Sequence, residues 1–420
     1  MCNKKILIFA NESVSNSSSN GRTLRNFLLD ISKEQIAQFY IHGEPDYSVC
    51  SSYYQVSDRD ALNAFLCRKN RIASREKNTE VSHSEPRKYQ KNCRTMLIRD
   101  IVWRSYRWWK KDFNKFIKDF APDVILLQAG DAPFMYAIAL KISNKYKLPI
   151  VIYNSEEYVL KEKMYSGAKK YSIWHMLLHH RLKRVYKKLM QKVSFCIYST
   201  EYLEEKYQKK YPHPGKSCTL YTVSELPLLE DTSDKNKFSL LYCGNLGVGR
   251  VYPLNEVAKV LFEVDPNAVL KVYGKFVNEE DKMLLCSNSN VFYGGIVPYD
   301  EIPGLMSNAS MLIHCENLER LENLRGAFST KIADSLACGR PFLVYATREY
   351  PFVQYLEKYN CAHIATHIEE LKNILMKNFT DEAYRTKYVQ NALNVAQSNH
   401  SVIVNSKQFL KILDLEKSCE

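Results

Sequence analysis

The 420-residue sequence contains no apolar stretch of the roughly 18 to 20 residues that a helix needs to span a bilayer. The apolar run near its N-terminus, ILIFA at 6–10, is too short for the core of a signal peptide and predicts a first strand. The twelve cysteines are scattered singly without a CxxC pair, so zinc and thiol redox motifs have no support. This cysteine usage predicts a reducing cytosol. No internal repeat of solenoid period is present.

What the sequence has in excess is positive charge, and this charge is concentrated in two segments. The formal net charge is +13, yet residues 68–118 carry +11 and residues 160–192 carry +9, which leaves −7 for the rest of the chain. The same two segments contain all four tryptophans, Trp103, Trp108, Trp109 and Trp174. Charge as local as this indicates a surface for an anionic partner rather than a general property of the protein.

Short apolar runs typical of strands alternate with helical patterns in two series. The first series ends at a weak strand over 217–223, the second begins with FSLLYCG at 238–244, and the acidic, polar stretch 228–237 between them predicts a linker. Strands separated by about ten to fifteen helical residues indicate βαβ units with parallel sheets. We therefore predict an α/β protein of two Rossmann-like, doubly wound domains that face a central cleft.

The predicted domain boundaries follow from the linker and from the helical pattern near the end of the chain. Residues 1–225 are expected to form an N-terminal domain, and residues 226–395 a second, C-terminal domain. A C-terminal helix within 396–420 is expected to pack back on the N-terminal domain.

A glycine-rich loop opens the second series. In YCGNLGVGR, Gly244, Gly247 and Gly249 follow a strand and precede a helix, whose unpaired amides and dipole favour a phosphate. Arg250 adds a planar guanidinium suited to two phosphate contacts. The alternative is an ordinary glycine-rich turn between a strand and a helix.

A second anion-binding pattern occurs in FSTKIADSLACGRP at 328–341. Ser329 and Thr330 can cap a helix, and Lys331 would lie in its first turn, where a cation opposes the helix dipole unless an anion binds there. Asp334 follows three residues later on the same face. The alternative for Lys331 alone is a solvated surface lysine.

These two motifs and VPYDEIP at 297–303 resemble, in their order and spacing, the nucleotide-sugar half of family 4 glycosyltransferases with the GT-B fold. The N-terminal half shares only the two-domain outline. The resemblance implies that Gly247, Arg250 and Lys331 hold the donor's diphosphate, that Asp334 binds the ribose, and that backbone around Val297 frames the base.

One position departs from the family pattern. Many members carry two glutamates separated by seven residues, and Gly326 stands where the first would precede Asp334. Glu316, which ends the preceding strand, is the acidic residue that we assign to the donor site, with Glu322 and Arg325 nearby. The chain resembles the subset of bacterial polysaccharide transferases that have Ser-Thr-Lys-Ile and no first glutamate. This departure leaves the identity of the sugar open.

Loops at the carboxyl ends of the first series of strands are predicted to bind the acceptor. They contain Asn20, Gly21 and Arg22 at the start of a helix, Asp131, and Glu156. The alternatives are a plain surface loop for the first three, a helix cap at Asp131 and a loop cap at Glu156. No general base is assigned.

The basic segments contain two helices, within 96–120 and 172–192, that combine Lys and Arg with Trp and Leu. Such helices are typical of anionic membrane surfaces. The alternative is that both helices pack on the N-terminal sheet with solvated charges. Nucleic acid is not expected as a partner, because no RNP-like, helix-turn-helix or zinc-finger pattern is present.

The sequence and the resemblance together predict a glycosyltransferase at the cytoplasmic face of the cell membrane. It would transfer a hexose from a UDP- or GDP-sugar to a lipid-linked saccharide in capsule or lipopolysaccharide synthesis, without a metal or cofactor. The resemblance implies retention of configuration. The alternatives are a sugar-nucleotide epimerase with the same fold and a non-catalytic nucleotide-sugar-binding protein.

Overall fold

The structure is a computed structural model that describes residues 4–15, 19–68, 92–161, 172–234, 236–318, 326 and 328–415. The chain forms two compact units. Met1–Tyr221 and Asn405–Glu420 make up the first, and Thr222–Val404 makes up the second. The chain thus passes between units at 221/222 and again at 404/405, whereas the predicted boundaries were at 225/226 and 395/396.

Thirteen strands, sixteen α-helices and two short 3₁₀ helices, Lys33–Gln35 and Tyr299–Glu301, make up the described secondary structure. The strands are β1 (Ile6–Phe9), β2 (Ile36–Tyr40), β3 (Ser52–Gln55), β4 (Val124–Gln128), β5 (Ile150–Asn154), β6 (Val193–Tyr198), β7 (Lys216–Thr219), β8 (Ser239–Cys243), β9 (Val269–Tyr273), β10 (Val291–Gly295), β11 (Met311–Cys315), β12 (Phe342–Tyr345) and β13 (His363–Ala365). The helices are α1 (Ser19–Phe27), α2 (Asp58–Phe65), α3 (Cys93–Arg104), α4 (Lys111–Phe120), α5 (Pro133–Tyr146), α6 (Ile173–Met190), α7 (Glu201–Lys210), α8 (Val251–Val264), α9 (Glu279–Cys286), α10 (Ile302–Ser307), α11 (Thr330–Ala337), α12 (Pro351–Lys358), α13 (Ile368–Thr380), α14 (Glu382–Thr386), α15 (Val389–Asn399) and α16 (Val402–Leu415).

The first unit is built on a seven-stranded parallel sheet with the order β3-β2-β1-β4-β5-β6-β7. Ile6 of β1 lies opposite both Ile36 and Val124, and every residue of β1 is buried, as expected for a parallel strand covered on both faces. The chain runs outward from β1 to β2 and β3, then returns to β4 on the other side. The carboxyl ends of β1 and β4 therefore form the switch point at which such sheets bind ligands.

Alternate residues of β1 belong to two different cores, one on each face of the sheet. Leu7 packs in the core that contains Trp103 and Phe134 from the helices α3 and α5. Ile8 points to the opposite core, which contains Phe27 of α1. The helices on both faces thereby exclude water from the strand.

Helix α16 completes the second of these cores. Phe409 stacks on Phe27 with ring centres 5.7 Å apart, and Ile412 is buried in the same cluster. The Ser406 hydroxyl donates a hydrogen bond of 2.6 Å to Asp30. The end of the chain is thus part of the unit in which the chain begins.

The tryptophans of the basic segments do not share one environment. Trp103 and Trp108 are fully buried and pack around Phe39, with ring centres 6.3 and 5.5 Å away. Trp109 is half-buried, whereas Trp174 exposes 39% of its surface. For two of the four rings, packing on the N-terminal sheet is the correct interpretation, and their clustering is not a sign of a membrane surface.

The second unit contains a six-stranded parallel sheet with the order β10-β9-β8-β11-β12-β13. Leu240 of β8 lies opposite both Leu270 and Met311, so β8 occupies the middle of the sheet as β1 does in the first unit. The switch point lies between β8 and β11, where the strand order reverses. Among the described helices, none has both the length and the apolar character that crossing a membrane requires.

Candidate functional site

The switch point of the second unit brings together predicted residues that are distant in sequence. The glycine-rich loop, 244–250, connects the end of β8 to the start of α8. Glu316 directly follows β11, the neighbour of β8 in the sheet. Because parallel strands end at the same edge, the loop and Glu316 lie side by side.

Two glycines of the loop allow side chains to approach the backbone closely. Gly244 has φ +154°, and a Cβ at this position would collide with the amine of Lys331. Gly249 has φ +78°, and a Cβ there would collide with the side chain of Asn317. Both positions require glycine for conformation as well as for space.

The middle of the loop is held in an uncommon conformation. The Gly247 amide donates a hydrogen bond of 2.8 Å to Asn245 Oδ1, which forms a local turn. The next residue, Val248, has φ +61°, a left-handed value that is unfavourable for a β-branched side chain. Strain of this kind is concentrated at ligand-binding loops, which favours a binding site over an ordinary turn.

Arg250 forms a buried, two-pronged ion pair with Glu316. Arg250 Nε and Nη2 donate hydrogen bonds of 2.8 and 2.7 Å to the two carboxylate oxygens of Glu316. A third hydrogen bond, 3.3 Å long, runs from Nη1 to the Asn245 carbonyl. Burial opposes the charge of Arg250, but the adjacent Glu316 carboxylate raises the pKa of the guanidinium above its ordinary value.

This arrangement leaves part of the guanidinium available. A guanidinium has five N–H groups, and among the described residues the three bonds from Arg250 leave one hydrogen on Nη1 and one on Nη2. Two parallel hydrogens on neighbouring nitrogens match the oxygen spacing of a phosphate. Glu316, which we predicted to bind the donor, contacts Arg250 and fixes the orientation of its guanidinium.

Lys331 lies in the first turn of α11, beside the glycine loop. Its ammonium lies against Gly244 and 5.2 Å from the centre of the Tyr242 ring. Burial, together with the neighbouring charge of Arg250, lowers the pKa of Lys331 to about 8. Lys331 is therefore not a solvated surface lysine.

The start of α11 has free capacity to bind an anion. Ser329 occupies the N-cap position, but within the described residues its side chain makes no capping hydrogen bond, and Thr330 begins the helix. The first amides of a helix need partners from outside it. A positive helix end beside Lys331 concentrates positive charge, which an anionic ligand would neutralise.

Asp334 occupies the next turn of α11, as predicted from the spacing. It is 8% exposed, and one carboxylate oxygen accepts a hydrogen bond of 2.7 Å from the Ser224 hydroxyl. Tyr299 contributes a weaker contact, with its hydroxyl 3.4 Å from both carboxylate oxygens. Val297 is half-buried in the loop that carries Tyr299, so this loop is adjacent to Asp334 through the tyrosine.

His314 is a residue of this site that our sequence reasoning missed. Its Nε2 lies 3.2 Å from Glu316 Oε1, and the side chain is buried. Burial lowers the pKa of His314, which favours the neutral ring beside the carboxylate. The signal in the sequence was its place two residues before Glu316, at the end of an apolar strand.

The residues predicted to bind the acceptor lie in the first unit, at the start of α1 and in the loops after β4 and β5. Gly21 is in the first turn of α1, where a Cβ would lie 2.7 Å from the carbonyl oxygens of Ser13 and Ser15, so its small size serves packing. Asn20 belongs to the same turn, although its side chain is outside the described residues. Arg22, the residue after Gly21, is half-buried.

The other two predicted acceptor residues follow β4 and β5. Asp131 is half-buried in the turn before α5, and Glu156 forms an ion pair of 3.6 Å with Lys161. Neither the position of Asp131 nor the ion pair of Glu156 identifies a ligand, so the acceptor assignments remain predictions. Glu322 and Arg325 lie outside the described residues, and Gly326 is buried.

A second pair that our sequence reasoning missed lies at the carboxyl edge of the first sheet. His42 Nε2 is 3.4 Å from Asp58 Oδ2. Each residue comes shortly after a strand of the structure, His42 after β2 and Asp58 after β3, and this position is the signal that could have drawn attention to them. In the described part of the chain, no group of three or more histidine, cysteine, aspartate or glutamate side chains is arranged to hold a metal ion.

Several solved structures are similar to this chain over nearly its whole length. No protein-family model and no curated protein matches the chain. Sucrose-phosphate synthase of Thermosynechococcus elongatus is similar in structure, with a TM-score of 0.64 over 99% of both chains at 11% identity. HepE of Anabaena, in complex with UDP and glucose, has a TM-score of 0.63 over 98% of this chain and 100% of its own at 14% identity. WaaG, a glycosyltransferase involved in lipopolysaccharide biosynthesis, has a TM-score of 0.58 over 97% and 99% at 15% identity.

All three similar structures have the two parallel α/β domains of the GT-B class. The chain has the GT-B fold. The predicted resemblance to GT-B glycosyltransferases is thereby confirmed at the level of the fold. In this GT-B protein the cations Arg250 and Lys331 lie at the switch point of the second sheet, and His42 lies at the carboxyl edge of the first.

Proposed function

We propose that the protein is a glycosyltransferase that moves a sugar from a nucleotide-diphosphate donor to a lipid-linked saccharide during surface polysaccharide synthesis. The observation that carries the proposal is the convergence of Arg250, Lys331 and the uncapped start of α11 on one glycine-rich loop. Such a convergence of fixed positive charge is suited to a diphosphate. The GT-B fold of the chain supports a nucleotide sugar as the source of that diphosphate.

The two cations would stabilise the leaving group. When the bond between the anomeric carbon and the diphosphate breaks, the electron pair stays with the diphosphate oxygen, where negative charge develops. The two unused N–H groups of Arg250 and the ammonium of Lys331 are positioned before the reaction, so they need little reorganisation. We propose that this charge makes a metal ion or other cofactor unnecessary, and that Gly247 lets the backbone of the loop approach the diphosphate closely.

The remainder of the nucleotide would bind along α11 and the loop after β10. Asp334 would accept hydrogen bonds from the ribose hydroxyls, with Ser224 and Tyr299 holding the carboxylate. The backbone around Val297 would frame the base. HepE, which is similar in fold, was solved with UDP, which makes UDP-hexoses the first donors to test and GDP-hexoses the second.

The acceptor would bind the first unit, at the loops that contain Asn20, Arg22, Asp131 and Glu156. A hexosyl donor and retention of configuration are the proposals that follow from the resemblance to family 4. The similar fold of WaaG, which acts in lipopolysaccharide biosynthesis, supports a saccharide of the cell surface as the acceptor.

We also propose that the first unit contacts an anionic membrane on the cytoplasmic side. Helices α3 and α6 pack together through Met96, Leu97 and Leu178, and the ion pair from Arg181 to Asp100 joins them. Beside this contact they expose what we term the α3–α6 apolar surface, which consists of Ile98, Ile101, Ile173, Trp174, Met176 and Leu177. Arg94, with its guanidinium 5.1 Å from the Trp174 ring, adds positive charge. Apolar side chains with adjacent cations are typical of interfacial helices.

A panel of nucleotide sugars, incubated with and without a membrane lipid extract, tests the proposed function. We expect lipid-dependent release of the nucleoside diphosphate. Arg250→Ala and Lys331→Ala should each lower this release about 10²–10³-fold, because each removes a donor to the leaving group. Arg348→Ala and Lys282→Ala, at exposed cations of the same unit, are matched controls.

Other results would point to different functions. Epimerised donor would identify a sugar-nucleotide epimerase, and binding without turnover would identify a nucleotide-sugar-binding protein. Near-normal release by both Arg250→Ala and Lys331→Ala would contradict the donor-site assignment. Thermal unfolding of each variant verifies that the fold is intact.

A further inference from the structure

The pair formed by His42 and Asp58 has the geometry of a proton-transfer dyad. Asp58 is the first residue of α2, and His42 comes two residues after β2. Their side chains approach to 3.4 Å and remain accessible, with 53% of His42 and 40% of Asp58 exposed. An imidazole that faces solvent and is oriented by a carboxylate is the usual arrangement of a general base.

Asp58 is held firmly by donors on α3. Its Oδ1 accepts hydrogen bonds of 2.7 Å from Arg99 Nε and 2.8 Å from Trp103 Nε1. Trp103 is itself fixed, because it is fully buried and stacks on Phe134 with ring centres 4.7 Å apart. Burial raises the pKa of Asp58, but the hydrogen bonds from His42, Arg99 and Trp103 outweigh it and hold the pKa below its ordinary range. Asp58 is therefore ionised, and its Oδ2 is directed at His42.

His42 is fixed to the switch point of the first sheet by its backbone. Its amide donates a hydrogen bond of 2.9 Å to the Asn11 carbonyl, and its carbonyl accepts one of 2.9 Å from the Ser13 amide. Gly43, which follows, has φ +95°, and its backbone passes over the Ser13 side chain. The loop after β1 and the residues after β2 are thus joined into one rigid edge.

The same edge contains polar atoms whose hydrogen-bonding capacity is unused. Asn11 Oδ1 and Ser13 Oγ are buried and have no hydrogen-bond partner among the described residues. The Asn11 side chain extends toward the loop after β4, where a Cβ on Gly130 would lie 3.2 Å from Asn11 Nδ2. Buried oxygens without partners indicate a place where hydroxyl groups of a ligand or water can bind.

We propose that His42 is a catalytic residue that accepts the proton of the attacking acceptor hydroxyl, and that Asp58 is its positioning residue. This inference rests on the proposed transferase function. With the proton on Nε2, the nitrogen that faces Asp58 at 3.4 Å, the lone pair of Nδ1 is left to act as the base. The hydroxyl oxygen bonds to the anomeric carbon, its proton moves to Nδ1, and the bond to the diphosphate breaks with its electron pair. A proton leaves the hydroxyl in either stereochemical course, so the role does not depend on retention.

The decisive variant is His42→Asn, measured with UDP-hexose donors and a membrane lipid extract. General-base catalysis contributes about 10²–10⁴-fold, so kcat should fall by that factor while the KM for the donor and the affinity for UDP stay unchanged. The decrease in kcat/KM at acidic pH, which reports protonation of the base, should disappear in the variant. Asp58→Asn should also lower kcat, because the ring loses its orienting acceptor.

A matched control separates this role from a structural one. His367→Asn, in the second unit, changes an exposed histidine that also lies beside a carboxylate, Glu370, at 3.6 Å. Asparagine is a good N-cap residue, so helix α13 should remain intact and transfer should be unchanged. Transfer by His42→Asn within threefold of wild type, or an equal loss at every pH, would refute the proposal. If wild-type protein releases no nucleotide with any donor, the transferase function itself fails and this role fails with it.

Discussion

Arg250, Lys331 and Glu316 lie together in the proposed donor site, and their charges depend on one another. The positive charges of Arg250 and Lys331 repel each other. Glu316, which lies between the end of β11 and the glycine loop, offsets this repulsion with its negative charge. The net charge of the three residues is +1, whereas a bound diphosphate would add at least two negative charges. Glu316 thus stabilises the two cations in the absence of ligand. Without this carboxylate the site would contain two unpaired, buried cations, which is energetically unfavourable.

Nucleotide affinity should therefore decrease as the pH rises through the pKa of Lys331. Burial and Arg250 lower that pKa to about 8, so Lys331 is protonated at pH 7 and mostly neutral at pH 9. If the bound diphosphate requires the protonated amine, the Kd for UDP should rise about tenfold over this interval. Calorimetric titration at several pH values measures the change.

Two variants identify the residue responsible. Lys331→Arg, which stays charged, should flatten the pH dependence, and Glu316→Gln should shift it to lower pH because the carboxylate favours the protonated lysine. A wild-type Kd that is constant between pH 7 and 9 would contradict the assignment of Lys331 to the diphosphate.

At the scale of elements, helix α3 supplies residues to two different environments. On one side, Trp103 packs into the core and donates a hydrogen bond to Asp58. On the other side, Ile98 and Ile101 are exposed next to the start of α6. The helix therefore has apolar side chains on both sides, and its tryptophan is on the inner side. The sequence shows the composition of the helix, whereas its orientation depends on the sheet against which it packs.

Removing apolar side chains from the α3–α6 apolar surface should weaken membrane binding without affecting the fold. Ile173→Asp combined with Met176→Asp replaces two residues that are 61% and 56% exposed, so unfolding should change little. Flotation with vesicles that contain anionic lipid should show a large loss of bound protein. Met283→Asp, at a 64% exposed methionine of α9 in the second unit, is the control. Equal flotation of the double variant and wild type would rule out this surface as the membrane contact.

At the scale of the whole molecule, the chain crosses between its two units twice. It leaves the first unit after Tyr221 and returns at Asn405, whose side-chain amide donates a hydrogen bond of 2.7 Å to the Tyr221 carbonyl. The first unit is therefore incomplete until α16 has been added, although most of its residues precede the second unit. Its stability depends on residues at both ends of the sequence.

Phe409→Ala should consequently destabilise the first unit. The ring is fully buried against Phe27, and removal of a buried phenylalanine costs about 3–5 kcal/mol. Denaturant unfolding, followed by fluorescence of the tryptophans, which all lie in the first unit, measures the loss. UDP binding depends on residues of the second unit. The variant should therefore still bind UDP under conditions in which it is folded. An unchanged midpoint of unfolding would contradict the role of α16 in this core.

The amino-acid sequence by itself determined the local elements and the donor motifs. Apolar runs such as PIVIY at 149–153 predicted strands correctly, because a parallel strand that is buried on both faces requires continuous apolar residues. The spacing of Lys331 and Asp334 placed both residues on α11 correctly, because helical periodicity is a local property. The two doubly wound α/β domains followed from the alternation of these elements, and the GT-B fold followed from the resemblance of the donor motifs.

Only the tertiary structure decided which distant residues meet. The ion pair from Arg250 to Glu316 and the contact of His42 with Asp58 join residues that follow different strands, and the order of strands in a sheet is not encoded in any local pattern. The burial of Trp103 and Trp108 was likewise decided by packing, since an aromatic ring beside basic residues suits both a core and a membrane surface. Local patterns report the preferences of single elements, whereas side-chain partners depend on long-range packing that brings those elements together.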